Sequence, residues 1–248
     1  MTKTIVTLSF DDGSPEDGRV VALLNKYNLK GTFYIPIKYE ERVVDKDLDQ
    51  VYENHEVGAH TMTHPDLTKL SLENLSYELV ESKKYLENIL GEKIKIMAYP
   101  FGFYNPETAG AVKKAGYLGA RTVAQFFLTK DFDSFKMPTT LHIYPYPLRK
   151  RSAATFHLTR HLFDPWLKSV MGLRKLGISP FKNLNWLSLA RALFTKALEQ
   201  KGVYHIWGHS WEINKYDMWE DFEEICKYVS GREGVEYLTN GEVLLRHS

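Results

Sequence analysis

Apolar residues along this chain fall into two alternating kinds of run. Short continuous runs read as buried strands: TIVTLSF (4–10), TFYIPI (32–37), EVGAH (56–60), IKIMAYP (94–100), YLGART (117–122) and VYHIWGHS (203–210). Longer stretches between them have helical spacing. SLENLSYELVESKKYLENILG (71–91) places Leu72, Leu75, Leu79, Leu86 and Ile89 on one side and stops at Gly91. NPETAGAVKKAG (105–116) opens on Asn105 as cap and Pro106 as first helical residue, and stops at Gly116. A further helix is predicted with Ser14 as cap, Pro15 in its first position, acidic Glu16 and Asp17 next, and Val20, Val21, Leu23 and Leu24 as its apolar face. Near the end, one helix is predicted over 217–230 and another from Asn240, after VEYLT.

Alternation of strand and helix predicts an α/β fold: a parallel sheet with helices outside it, open or closed into a barrel. A chain of 248 residues fits a single domain spanning 1–248. In such folds functional groups gather at the carboxyl ends of strands.

Composition adds little to that picture until charge is mapped along the chain. Apolar residues make up 44%, enough for a large core, and 25% are charged, so disorder is excluded. Cys226 is the only cysteine, which rules out an intrachain disulfide; its helical spacing with Trp219, Phe222 and Ile225 makes it a core residue. The opening MTKTIVTLSFDDG lacks the pattern of a secretory signal, and no run of about 18 apolar residues occurs. The expected location is cytoplasmic, or peripheral at the inner membrane face. Residues 138–201 stand apart, with eleven Lys and Arg against Asp164 and Glu199, a formal +9 in a chain of +1 that leaves −8 elsewhere. This segment reads as a basic, mainly helical insertion. Its stretch 155–178 mixes basic residues with Phe156, Leu162, Phe163 and Trp166. That suits a solvated helical subdomain, or a surface-lying helix that meets anionic lipid or a lipid-linked glycan. No recognised nucleic-acid motif accompanies the charge, so nucleic acid is not an expected partner. Oligomeric state is not legible in the sequence.

Four strand ends carry candidate chemistry. LSFDDG places Asp11 and Asp12 side by side, where mutual repulsion calls for a cation or, in a blander reading, a capping role. GAHTMTHPDL holds His60 and His64 four apart, a spacing that lets two imidazoles share one divalent ion or simply sit as ordinary histidines. AYPFGFYN ends a strand in a turn ringed by aromatics. HIWGHSWE puts His205, Trp207 and His209 on one side of a strand, with Trp211 following; this fits a proton donor beside a sugar-stacking surface, or core packing. Two-His, one-carboxylate sets leave room for water and substrate at the ion.

Together these segments resemble the polysaccharide deacetylases (carbohydrate esterase family 4). SFDDG resembles the family's first motif and HTMTH its second; AYPFG sits where the third belongs, and IWGHS resembles the late strand that carries a histidine. The resemblance implies a distorted (β/α) barrel. It implies a divalent metal, zinc first with cobalt, manganese or nickel as alternatives, held by Asp12, His60 and His64. Asp11 would be the general base, His209 the general acid, and the Phe101 amide an oxyanion donor. Trp207 and Trp211 would face a carbohydrate substrate. The family's third-motif arginine falls at Ala98, so the base's usual partner is missing; Arg121, in GART, could supply that charge. The implied activity is metal-dependent removal of an N-acyl group, typically N-acetyl, from an amino sugar in a polysaccharide, oligosaccharide or lipid-linked glycan. The alternatives are a non-catalytic carbohydrate-binding homologue, or an amidase acting on a non-sugar C–N bond.

Overall fold

The computed structural model describes residues 3–145 and 169–246. Strand β1 (Thr4–Asp11) is buried along its whole length. It pairs with β7 (Val203–Gly208) on one edge, and on the other with β2 (Gly31–Ile35) near its end and β8 (Val235–Tyr237) near its start. Strands β3 (Glu56–Ala59), β4 (Ile96–Ala98), β5 (Gly119–Arg121) and β6 (Leu141–His142) extend the sheet in the order β5-β4-β3-β2-β1-β7-β6. All these ladders are parallel.

The sheet curls toward closure through the segment leading into β6. Met137 N–H donates to Ala120 O (2.9 Å), and Thr122 N–H donates to Met137 O (2.9 Å). Farther on, Thr140 N–H donates to His205 O (2.8 Å) and Ile143 N–H to Trp207 O (2.8 Å). One stretch of chain is thus bonded to β5 at its start and to β7 at its end. The result is the distorted barrel that the strand–helix alternation allowed.

Alternation along β1 separates two interiors. Val6, Leu8 and Phe10 face the helices and join Val20, Leu24, Phe222 and Ile225 in the larger core. Ile5 faces the lumen with Tyr34, Ile96, Ala98, Met137 and Val203. Several of the lumen's polar side chains pair with one another, which offsets the cost of burying them. Thr7 Oγ1 donates to Asn240 Oδ1 (2.8 Å), and Ser9 Oγ lies 2.9 Å from His205 Nε2. Asp11 continues this lumen-facing row at the strand end. β2 and β3 approach so closely that a Cβ on Gly58 would lie 2.6 Å from the Tyr34 ring, which only glycine avoids.

Seven helices of the described residues matter here: α1 (Asp17–Lys26), α2 (Leu72–Leu90), α3 (Pro106–Lys114), α4 (Trp186–Gln200), α5 (Ser210–Lys215), α6 (Trp219–Val229) and α7 (Asn240–Leu245). α2 has the predicted ends, with Ser71 Oγ accepting from Asn74 N–H (3.3 Å) and Gly91 left-handed at φ 68°. α3 carries a full capping box between Asn105 and Thr108. α1 corrects the sequence reading. It starts at Asp17, and Ser14 is no cap because its hydroxyl bonds to the Glu16 carboxylate. The strand expected to run to residue 210 ends at Gly208, and α5 begins at once.

Residues 138–201 also read differently in three dimensions. β6 and α4 both lie within this segment. α4 buries Trp186, Leu189, Leu193 and Phe194 in the same core as Leu8 and Phe222. β6 and α4 are therefore barrel wall: Arg191 and Lys196 sit away from the buried side of an amphipathic helix, a side the charge count does not register. Residues 146–168, most of the stretch expected to lie on a surface, are outside the described residues. No helix among the described residues is long and apolar enough to cross a membrane.

One buried carboxyl gives the fold a pH dependence. Asp17 is fully buried and accepts from Tyr52 OH (2.8 Å) and Ser210 Oγ (2.5 Å). Burial raises its pKa to about 7, and the two hydrogen bonds offset this only in part. The folded value lies above the unfolded one, so the neutral acid is favoured in the fold. Its contribution is fully present below pH 3.8 and is lost as pH rises through about 7. Asp17→Asn, a mimic of the neutral acid, should therefore match the wild type near pH 4 and exceed it at pH 8, by at most ~4 kcal/mol. Urea denaturation at the two pH values checks this; equal stabilities at pH 8 would show that the ionised carboxylate is tolerated.

Candidate active site

Six of the strands end on one rim, and the polar groups there come from their last residues. Asp11 closes β1 and Asp12 follows it; His60 follows β3; Ala98, Arg121 and His142 end β4, β5 and β6; His209 follows β7. The rim is strained. Nine non-glycine residues among those described have positive φ, and Asp12 (77°), Thr61 (70°), His64 (57°) and Phe101 (57°) are four of them. Such conformations persist where surrounding structure over-determines them, commonly at functional sites.

Asp12, His60 and His64 converge, their ligand atoms lying within 4.8 Å of one another. His60 Nδ1 is 2.9 Å from Ala98 O, so it carries the proton and leaves the Nε2 lone pair bare. That Nε2 lies 3.1 Å from His64 Nε2, and Asp12 Oδ1 lies 3.9 and 3.8 Å from the two nitrogens. Burial lowers His60 to about 4 and also lowers His64, so both rings are neutral at pH 7, as ligands must be. Trp211 Nε1 donates to Asp12 Oδ2 (3.0 Å), which leaves Oδ1 buried without a hydrogen-bond partner among the described residues. Tetrahedral zinc ligands about 2.0–2.1 Å from the ion stand roughly 3.3 Å apart, close to the separations seen here. An orphaned carboxylate oxygen facing two imidazole nitrogens fits a divalent cation in both chemistry and spacing.

Asp11 points into the lumen and meets a different partner. The Arg121 guanidinium, fully buried, donates through Nη2 to Asp11 Oδ1. Its Cζ lies 4.8 Å from the Trp207 ring centroid and 5.2 Å from that of Tyr34, so the cation is wedged between two aromatic faces. Burial alone would raise Asp11; Arg121, with His60 and His209, outweighs it and holds the carboxylate at about 2. The cation that Ala98 cannot provide thus arrives from the next strand.

His209 lies beside the candidate metal group, with Nε2 3.8 Å from Asp12 Oδ2. Its Nδ1 lies 2.6 Å from Glu212 Oε2. Burial opposes a charge on this ring, but the Glu212 hydrogen bond and the charges of Asp11, Glu212 and Asp12 prevail and raise its pKa. The ring is therefore placed to carry a proton on Nε2. Phe101 exposes about half its surface, and its ring lies 4.7 Å from that of His64. Trp207 has a different place from the one expected: buried and stacked on His142 at 4.2 Å, it backs the site instead of presenting a surface to ligand. Trp211 contacts the Asp12 carboxylate as well as the His209 ring, 5.2 Å away.

Known proteins resemble this chain in sequence and fold. The polysaccharide deacetylase profile matches residues 1–120, a span that holds Asp11, Asp12, His60 and His64. The first half of this chain is similar to the polysaccharide deacetylases. A peptidoglycan-N-acetylglucosamine deacetylase of Bacillus cereus is 31% identical over 116 residues, covering 46% of this chain and 54% of the relative. The chain spans about half or less of the length of the curated relatives it matches. Among solved structures, the Xyl-CE4 domain of a multidomain xylanase from the Trinervitermes trinervoides hindgut metagenome superposes with TM-score 0.60 at 17% identity, covering 99% of this chain and 91% of that one. A candidate polysaccharide deacetylase of Mycobacterium smegmatis gives 0.67 at 14% identity, with 99% and 91% covered. These likenesses establish the family's barrel fold along nearly the whole chain.

Sequence reasoning missed three residues of the rim. Glu78, on α2, accepts from Met62 N–H (2.8 Å), Thr63 N–H (2.9 Å) and Thr63 Oγ1 (2.7 Å), clamping the loop between His60 and His64. A signal was present: Glu78 falls in the buried stripe of Leu75, Leu79, Ser82 and Leu86, where a charge needs a reason. Glu78→Ala should weaken metal binding by about 10- to 100-fold with the fold retained, read by chelator competition. Unchanged affinity would mean that the loop holds its shape unaided. The other two are Glu212 and His142, which bond to each other through Oε2 and Nε2 (2.9 Å).

Proposed function

We propose that this chain is a metal-dependent hydrolase that removes N-acetyl groups from amino sugars in a glycan. The observation that carries the proposal is the meeting, on one rim, of the orphaned Asp12 oxygen and the imidazole nitrogens of His60 and His64 with a pinned carboxylate on one side and a proton-bearing imidazole on the other. The relatives that match the first half are named for N-acetylglucosamine and N-acetylmuramic acid deacetylation of peptidoglycan, which supports the same bond type here.

Asp12, His60 and His64 would hold the metal, with zinc proposed first. When bound, such a cation supplies Lewis acidity, lowering the pKa of water and polarising the acyl carbonyl. The rest falls to the chain. Asp11, kept ionised by Arg121, orients the attacking water and accepts its proton. The Phe101 N–H is proposed as a donor to the developing oxyanion, a contribution typically worth about 3 kcal/mol. His209, with Nδ1–H anchored on Glu212, presents the Nε2 proton to the departing amine.

Acetate release from N-acetylglucosamine oligomers and from peptidoglycan strands, with zinc, cobalt, manganese or nickel added and then chelated, tests the reading. Release that depends on metal is the expected result; no release from any glycan with any of the four metals overturns it. Anionic lipid or a lipid-linked glycan remains a proposed partner of 155–178, checked by co-sedimentation with anionic vesicles at low salt.

A further inference from the structure

Beside the candidate metal group, a buried imidazole and a half-buried one share one carboxylate oxygen. Glu212 Oε2 lies 2.6 Å from His209 Nδ1 and 2.9 Å from His142 Nε2. Burial would raise Glu212, but its bonds to His142 and His209 bring it down to about 2, so it is ionised and accepts only. Both contacts are therefore N–H donations, which fixes one proton on each ring.

His142 is itself firmly held. Its ring stacks on Trp207 (4.2 Å, 13° between planes) and on Tyr144 (5.5 Å, 29°), and its carbonyl accepts from Trp186 Nε1 (2.9 Å). Glu212 has no such restraint of its own: the last torsion of a glutamate is broad and two-fold, so one hydrogen bond leaves the carboxylate free to turn. A second, charge-assisted bond from a ring anchored on β6 removes that freedom. The separations also discriminate between protons and a second cation. They are hydrogen-bond lengths, shorter than the roughly 3.3 Å between ligands of a tetrahedral ion.

We propose that His142 is a positioning residue, which locks Glu212 so that Glu212 holds His209 with Nε2 turned toward Asp12 and the reacting bond. The catalytic part of this rests on the reading of His209 as proton donor; the clamp itself does not.

The zinc-loaded full chain and two variants test it. His142→Phe keeps a ring against Trp207 and loses the N–H, whereas His142→Gln can restore a donor. With 15N-histidine labelling, the wild type should show slowly exchanging imidazole protons on His142 and His209. In His142→Phe the His209 proton should exchange faster, and in His142→Gln it should regain protection. In acetate release, kcat should fall by about 10- to 100-fold in His142→Phe, with KM within about twofold of wild type and the zinc content unchanged, and partly recover in His142→Gln. If His142→Phe does not fold, His142→Asn, too short to reach Glu212, carries the same comparison. Unaltered His209 exchange in a folded donor-less variant overturns the proposal. So does a second zinc bound by the wild type and lost with His142. A wild type that releases no acetate, yet shows the exchange pattern, would sink the deacetylase reading and uphold the clamp.

Discussion

Asp12→Ala should purify without metal and lose acetate release by more than the 10²- to 10³-fold, roughly, that removal of a single oxyanion donor costs. Asp11→Asn should retain its metal while turnover falls by about 10²- to 10⁴-fold, the usual worth of a general base. The contrast follows from geometry. Asp12 Oδ1 faces His60 and His64 with no hydrogen-bond partner among the described residues, whereas Asp11 Oδ1 is taken up by Arg121. Metal content by elemental analysis, set beside acetate release, separates the two. An Asp11→Asn protein with full turnover would remove Asp11 from the chemistry, and an Asp12→Ala protein with wild-type metal content would relocate the ion.

Arg121→Leu should be the most destabilising single change on the rim, costing about 3–5 kcal/mol, because it strands the Asp11 charge in a buried lumen. Asp11→Asn in the same chain should recover part of that loss, since it removes the charge left unpaired. The pH dependence follows from the depressed pKa. Asp11 titrates at about 2 in the fold against 3.8 for an ordinary aspartate, so its contribution is present above pH 3.8 and is lost as pH falls through about 2. The gap between wild type and Arg121→Leu should narrow over that window. Chemical denaturation at pH 7 and pH 3 measures it. A variant as stable as the wild type at pH 7 would mean that water or a shifted neighbour solvates Asp11.

What could be read in advance depended on how local each feature is. The candidate metal group lies in two short segments, SFDDG and HTMTH, whose spacing is itself the signal. Most strands and the ends of α2 and α3 follow from residue patterns and caps within a few positions. Arg121 is different. Its place at a strand end was visible, but its contact with Asp11 depends on the curl that carries β5 across the lumen from β1, which no local pattern encodes. Glu212 acquires meaning only when α5 is known, because three residues bring it under His209 on a helix and not on the strand that HIWGHSWE suggested. His142 sits in a two-residue strand inside a segment whose charge drew attention to its outer surface. Trp207 looked like a ligand-facing ring because strand alternation aligned it with His209; the Arg121 guanidinium and the stacked His142 ring fill the space in front of it.

β1 bears on how reliably this chain assembles. Its two terminal carboxylates have different proposed duties, and they are one residue apart on an element whose faces alternate. A slip of a single position would turn Asp11 toward the helices and bring its neighbour into the lumen. Three ladders, to β2, β7 and β8, must shift together for that to happen. Mispaired chains would therefore lose strand partners and the proposed ion-binding group at once. Metal uptake by refolded protein should count the molecules that have reached the correct register, a direct measure of folding yield that needs no substrate.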